Sequence, residues 1–451
     1  MRSPVIAFGI LAATVSPSLI AAAPTSPNVP VIPAVSSTTA NGASGVGHSA
    51  GVANGVPVGR PSTGSPLGFF PGISPHQKRA DDANTAGGNA RTGNTNTANG
   101  GSVVNNAAPG TDLTSDDSNF GGDANDSISG DAEGGEGQGR GPGGNAYTGN
   151  SGTARGGSIY NSAGSIDSTD GSNTPGAGGT SGTGDAFGGN ARRKRAFDSQ
   201  TAGGNAHSGD SSSTSTGSVF NEAESDGEVT NNAANDFNTA NGVTAGDSYT
   251  GDAVGGRGRD RGPGGNATTG RAGPSNGGNI GNEGGSVSNT NSNAAADGGS
   301  STSGDATGGD VAKRAFDGYT AGGNAHTGDS SDVNGGSVAN VADDGGPITN
   351  NASTFGGIGG TTTTGDAEGG NGHGRGPGGN ASTGNSGNAR GGSVSNDGGD
   401  ITNTNGSNLA GDGGQSSTGT AVGGNVDGAR VDDNDDDNGF NFDDNFDDVD
   451  K

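Results

Sequence analysis

The sequence predicts low-complexity, glycine-rich repeats that form a thin β-solenoid or other irregular β structure, or else stay largely disordered. No conventional globular core is expected, and helix only in a signal peptide. Three observations carry this. Of 451 residues 100 are Gly and only 25% are hydrophobic, below the share an ordinary core requires. Three short blocks recur along the chain at nearly constant spacing. No segment after the N-terminal apolar stretch has helical periodicity.

The N-terminus begins Met1-Arg2-Ser3-Pro4 and runs from Val5 to Ala23 through almost wholly apolar or small residues. One positive charge, an apolar stretch and a small-residue exit describe a signal peptide over residues 1–22, cut after Ala22. A cut after Ala23 would put Pro24 in an unfavourable place. Pro17 interrupts the stretch and no second apolar span follows, so no membrane association is expected once the signal is removed. Residues 23–79 are rich in Pro, Ser and Val and contain no acidic residue, which suits a flexible pro-segment.

From residue 80 the chain repeats. Gly-Gly-Asn-Ala starts at 87, 143, 203, 264, 322 and 378. Gly-Gly-Ser-(Val/Ile)-x-Asn starts at 100, 156, 284, 335 and 391, with Thr216 replacing the first Gly in another copy. Gly-Asp-Ala-x-Gly-Gly starts at 130, 184, 251, 304 and 365, and Gly419-Thr420-Ala421 opens a sixth copy. The first two blocks lie 13 residues apart in five units and 20 in the fourth. A further apolar residue follows the second block by 10 residues in units one, three and five (Val103 to Leu113) and by 7 in units two and six (Ile159 to Ile166). On this reading the fourth unit has lost it.

Disordered sequence can be duplicated without a fold to preserve. Spacings that persist while intervening residues change favour instead a repeated backbone, with short rungs turning at Gly-Gly and Gly-Asp and with Asn and Thr stacked in ladders. Gly157-Ser158-Ile159-Tyr160-Asn161 is one such expected strand. The larger apolar side chains of the first module (Val103, Val104, Leu113, Phe120, Ile128, Tyr147, Ile159, Tyr160, Ile166 and Phe187) are too few for an apolar core.

The lysines mark the unit boundaries. Only four occur, and Lys78, Lys194 and Lys313 each stand in a Lys-Arg-Ala tripeptide. A kexin- or furin-type protease reads two adjacent cations through acidic subsites and needs an exposed segment. Cleavage is expected after Arg79, Arg195 and Arg314, and each new N-terminus is soon followed by Thr-Ala-Gly-Gly-Asn-Ala. The modules are therefore 80–195, 196–314 and 315–426, two units each, followed by an acidic tail over 427–451 with eleven Asp and interleaved Phe440, Phe442 and Phe446.

The formal net charge of −27 argues against nucleic-acid binding, which needs clustered cations. The chain has no Cys and hence no disulfide framework. Runs such as Gly137-Gln138-Gly139-Arg140 lack the Lys and flanking elements of a phosphate loop. His207 and His326 occupy equivalent positions 119 residues apart and supply no convergent metal ligands. Asn434-Asp435-Asp436 opens a run resembling a calcium loop, but Asn445 stands where its Glu is needed. No catalytic constellation, cofactor or metal is expected, and no enzymatic activity. Asn125, Asn266, Asn351, Asn380 and Asn405 are the candidate N-glycosylation acceptors.

Signal peptide, pro-segment and Lys-Arg-bounded repeats together resemble the kexin-processed repeat proteins secreted by filamentous fungi. The resemblance covers the architecture of nearly the whole chain. It implies a secreted or wall-associated precursor that acts either as surface and matrix material, through self-association or contact with wall polymers, or as a diffusible effector or signal.

Overall fold

The Ala that closes each Gly-Gly-Asn-Ala block fixes the architecture, because all six copies lie side by side. The computed structural model of the chain describes residues 85–115, 118–168, 173–192, 200–232, 235–236, 244–312 and 319–427. Within it Ala90, Ala146, Ala206, Ala267, Ala325 and Ala381 are consecutive partners in one six-stranded parallel sheet. The Ala of the third block behaves alike: Ala132, Ala186, Ala253, Ala306, Ala367 and Ala421 pair in a second sheet. Each unit is thus one full turn of a β-solenoid-like stack, and the six turns are rungs 1 to 6. Of the two expected readings, the described residues take the β one; a single short 3-10 turn, Asp343–Gly345, is their only helix.

The second block starts the longest strands, among them Ile159–Ala163, Val219–Ala223 and Ile280–Gly284. This pairing corrects the reading of the fourth unit. Val219 pairs with Ile280, and Ile280 with Val338. The second block of that unit is therefore Gly277-Gly278-Asn279-Ile280, whose start lies 13 residues after Gly264 as in every other unit. The Gly284-Gly285-Ser286-Val287 run is a look-alike one strand further on. Its Val287 pairs with Val229 and Ile348, so it is the apolar residue that unit four was read as having lost. Ile280 to Val287 is 7 residues, which places rung 4 with rungs 2 and 6. The longer spacing in odd rungs is a wider corner: Glu224 to Gly227 separate the strands in rung 3, whereas Gly285 alone does so in rung 4.

Glycine does more here than turn the chain. Two passes of backbone meet across the interior once in every rung, and among the described residues a second time in every rung but the third. The Gly135 N–H donates to Gly88 O at 2.8 Å, Gly144 to Gly135 O at 2.8 Å, Gly189 to Gly144 O at 2.8 Å and Gly204 to Gly189 O at 2.9 Å. This zigzag continues through Gly256, Gly265, Gly309, Gly323, Gly370 and Gly379 to Gly424. A second zigzag runs through Gly101, Gly122, Gly157, Gly176 and Gly217, and again from Gly278 through Ala296, Gly336, Gly357 and Gly392 to Gly411. Along the first, a Cβ on Gly144 would lie 2.1 Å from Gly88 O and one on Gly189 2.1 Å from Gly135 O, both backbone atoms. At these positions only glycine lets the backbone of one rung lie so close on that of the rung before; Ala296 takes the corresponding place in the second zigzag at rung 4.

These waists divide the interior into narrow lobes that small side chains fill. In the middle lobe the two Ala columns pack on each other, with Ala146, Ala186, Ala206, Ala253 and Ala267 fully buried. In the outer lobe Val219, Ile280 and Val338 form one apolar file and Val229, Val287 and Ile348 another. Between them run two ladders of buried amides. Asn105, Asn161, Asn221, Asn282, Asn340 and Asn396 each donate from Nδ2 to Oδ1 of the next, at 2.8–2.9 Å. Asn231, Asn289, Asn350 and Asn403 do the same at 2.8–3.0 Å. Burying an amide is tolerable only when its donors and acceptors are met, and stacking identical residues one rung apart meets them. Hydroxyls serve likewise: Thr183 accepts the Gly251 N–H at 3.0 Å and donates to Gly209 O at 3.2 Å.

Of the ten larger apolar residues of the first module, only Ile159 and Ile166 are fully buried, while Val104 and Phe120 are 66% and 64% exposed. Apart from two files of Val and Ile, the interior is built from Ala, Ser, Thr, Asn and backbone, so the scarcity of large apolar residues does not prevent an ordered stack.

Candidate interaction surface

Identical residues one rung apart make the outer faces as periodic as the interior. The Asn of each first block forms an external ladder in which Asn89, Asn145, Asn205, Asn266 and Asn324 accept, through Oδ1, the backbone N–H of the equivalent Asn in the next rung at 2.8–2.9 Å. The Asp of each third block repeats this geometry. Asp131, Asp185, Asp252 and Asp305 accept the N–H of the next Asp at 2.7–2.9 Å, and Asp366 accepts that of Thr420 at 2.6 Å. Beside the Asn ladder a groove of about 660 Å³ runs across successive rungs, lined by repeating positions such as Ala86, Pro142, Asn145, Asn205, Pro263 and Asn324. A second hollow of about 550 Å³ spans rungs 4 to 6 and is more apolar, with Ala294, Phe355, Ile358 and Leu409 at its wall.

Stacked aspartates about 4.8 Å apart repel one another. Burial pushes the Asp252 carboxyl above the usual carboxylate range; the Asp305 N–H it accepts pulls the other way, and the Asp185 and Asp305 carboxylates raise it further. A carboxyl held above its unfolded value gives stability that is complete below the unfolded pKa, near 3.9, and is lost as the pH rises through the folded value. The thermal midpoint of the full chain should therefore rise on acidification from pH 7 towards about 4.5, the direction in which relief of the net charge of −27 also acts. Asp252→Asn keeps the Oδ1 acceptor, as the Asn ladder demonstrates, and removes the charge. Asp252 is exposed and solvent screens the repulsion, so the change should stabilise the chain at pH 7 by no more than a few tenths of a kcal/mol (about 0.3) and flatten the acid rise. Calorimetry at the two pH values decides; a midpoint that falls on mild acidification would contradict the ladder's role.

The expected cleavage positions fall outside the described residues. This holds for Ala22 and Arg79, and for Arg195 and Arg314, which lie between Arg192 and Gln200 and between Ala312 and Tyr319. The acidic tail beyond Asp427 does too. The Arg-Gly-Pro-Gly passages inside each module are described, and each is a tight turn: Gly141 N–H donates to Gln138 O, Gly262 to Arg259 O and Gly376 to His373 O. Gly139, Asp260 and Gly374 take positive φ there, at 68°, 57° and 69°.

Among the candidate glycan acceptors Asn125, Asn266, Asn380 and Asn405 are exposed and Asn351 is half-buried. Asn266 uses only Oδ1 in its ladder bond, so Nδ2, the atom a glycan would occupy, is not needed there. His207 lies on the surface with its ring 6.4 Å from that of Tyr147, and His326 Nδ1 is 2.6 Å from Ser382 Oγ. Among the described residues no three His, Asp or Glu side chains gather as a metal-holding group, and no helix is long and apolar enough to cross a membrane.

No family model, curated protein or solved structure matches the chain.

Sequence reasoning anticipated stacked Asn and Thr but missed the Asp ladder. The signal was present, since Gly-Asp-Ala recurs in five units, but its Asp reads as ordinary solvated charge until the rungs align.

Proposed function

We propose that the chain is a secreted precursor, cut at its Lys-Arg junctions by a kexin-type protease, whose products are structural and interaction material of the cell surface or extracellular matrix. The observation that carries this reading is where the dibasic pairs fall relative to the rungs. Described strands end at Arg192 and Ala312 and resume at Gln200 and Tyr319, so cuts after Arg195 and Arg314 sever no described strand and leave two whole rungs in each module. The long faces support the second half of the reading. The Asn position repeats at every rung, the Asp position in rungs 1 to 5 and the Pro in every second rung, and many weak identical contacts on one stack give retention that no single contact would.

Mass spectrometry of secreted material should find N-termini at Ala80, Ala196 and Ala315, and the material should stay with the wall or matrix through a mild salt wash. One intact chain reaching Lys451 would rule out processing. Products recovered free in the medium, with deletion of the gene altering only a neighbouring organism's response, would instead favour a diffusible effector.

A further inference from the structure

The processing reading has a structural consequence that concerns the products themselves. Hydrolysis after Arg195 adds water across one peptide bond, leaving a carboxylate and an ammonium group, and removes the only covalent link between rungs 2 and 3. Everything else that joins them remains. Across this joint the Ile159 N–H donates to Ser218 O and the Ala186 N–H to Asp252 O, both at 2.8 Å, and the Gly204 N–H to Gly189 O at 2.9 Å. The Asn ladder crosses it from Asn161 to Asn221 at 2.8 Å. The described ring-on-ring contacts are at this joint as well. Tyr160 and Phe220 stack with centroids 5.7 Å apart and planes 5° from parallel, and Tyr147 leans on His207. The Tyr160 hydroxyl donates to Glu222, and the Tyr249 ring covers Gly182 so closely that a Cβ there would lie 2.4 Å from it.

The second joint, between rungs 4 and 5, repeats the plan. Asn282 donates to Asn340 and Asn289 to Asn350, both at 2.8 Å, the Ile280 N–H reaches Ser337 O at 2.9 Å, and Arg271 pairs with Asp329 at 3.6 Å. Both joints set an even rung against an odd one in the same register.

We propose that cutting does not release three independent polypeptides: the products stay stacked through these joints. Each middle product would carry one odd-rung face and one even-rung face, and the even face of one fits the odd face of the next. That contact is heterologous and does not close on itself, so products from a second copy can add in the same way. The partner is another product of this same chain. Unpaired strand edges recruit matching strands, and here the matching edge is already in place when the bond is cut.

The proposal rests on processing, but its test does not need the native protease. Purified full chain is cut to completion at Arg195 and Arg314 with a Lys-Arg-specific endoprotease, and cutting is checked on a denaturing gel. Light scattering during native size exclusion then gives particle mass. The same protease also cuts after Arg79 and releases the pro-segment, so the expected result is co-elution of the three modules at a mass no lower than their sum, with heavier particles where further copies have added. Fragments that elute separately, each at its own mass, would overturn the proposal and leave processing standing. A folded chain that resists cutting at both sites would overturn it too, since there would be no products to stack. Intact chain in the secreted material would defeat processing while leaving the measured stability of the joints unaffected.

Discussion

Gly204→Ala should destabilise the chain by roughly 3 kcal/mol or more, whereas Gly88→Ala should cost little. A Cβ on Gly204 would lie 1.9 Å from Gly144 O, 2.6 Å from its carbon and 2.9 Å from Gly189 N. All three are backbone atoms of rung 2, so no side chain can rotate away, and relief requires the backbone of rung 3 to lift off rung 2 here. That breaks the bond from Gly204 N–H to Gly189 O, leaving a buried donor and acceptor unmet. Gly88 occupies the same block position in rung 1 but has nothing within 4 Å of a Cβ. Its substitution controls for the change in unfolded-state entropy that any Gly→Ala brings. Urea denaturation followed by circular dichroism compares the pair; equal midpoints would remove the glycine waist from the account.

Asn221→Leu should cost about 2–4 kcal/mol, although it puts a larger apolar side chain into a buried site. Asn221 is fully buried, takes the Asn161 amide on its Oδ1 and gives its own amide to Asn282 Oδ1, both at 2.8 Å. Leu would strand the Asn161 Nδ2 donor and remove one of the two donors at Asn282, which also receives Asn231 at 3.1 Å. On a purely hydrophobic view of the interior the same substitution would stabilise. The sign of the change in unfolding free energy therefore separates an amide-built interior from an apolar one. Asn403→Leu, at the exposed end of the second ladder, should cost clearly less, because Asn350 Nδ2 keeps Asn396 Oδ1 at 3.4 Å and lies next to solvent-exposed residues.

The repeat and its period were legible because the residues that stack are those that cannot vary in kind. Ala146 and Ala186 have no room for more than a methyl group, Asn161 needs an amide above and below, and Val219 and Ile280 fill one file. Rung 4 was misread because Gly284-Gly285-Ser286-Val287 imitates the second block in sequence while belonging to the next strand. Register, which motif matching does not see, distinguishes the two. The waists were hidden for another reason. Gly88 and Gly135 meet 47 positions apart, and nothing local to either marks the other as its partner. Which of the large apolar residues face inward was not legible either: Tyr160 alternates with Ile159 along one strand, so its ring faces outward and stacks on Phe220.

Residue-resolved amide hydrogen exchange on the full chain tests the central claim most directly, which is that each unit is one rung pinned across its interior by glycine backbone. The account predicts that the N–H groups of Gly144, Gly189, Gly204, Gly256 and Gly265 exchange as slowly as those of the strand Ile159–Ala163, although these glycines lie outside the strands. Glycine amides that exchange within seconds while the strand remains protected would contradict it.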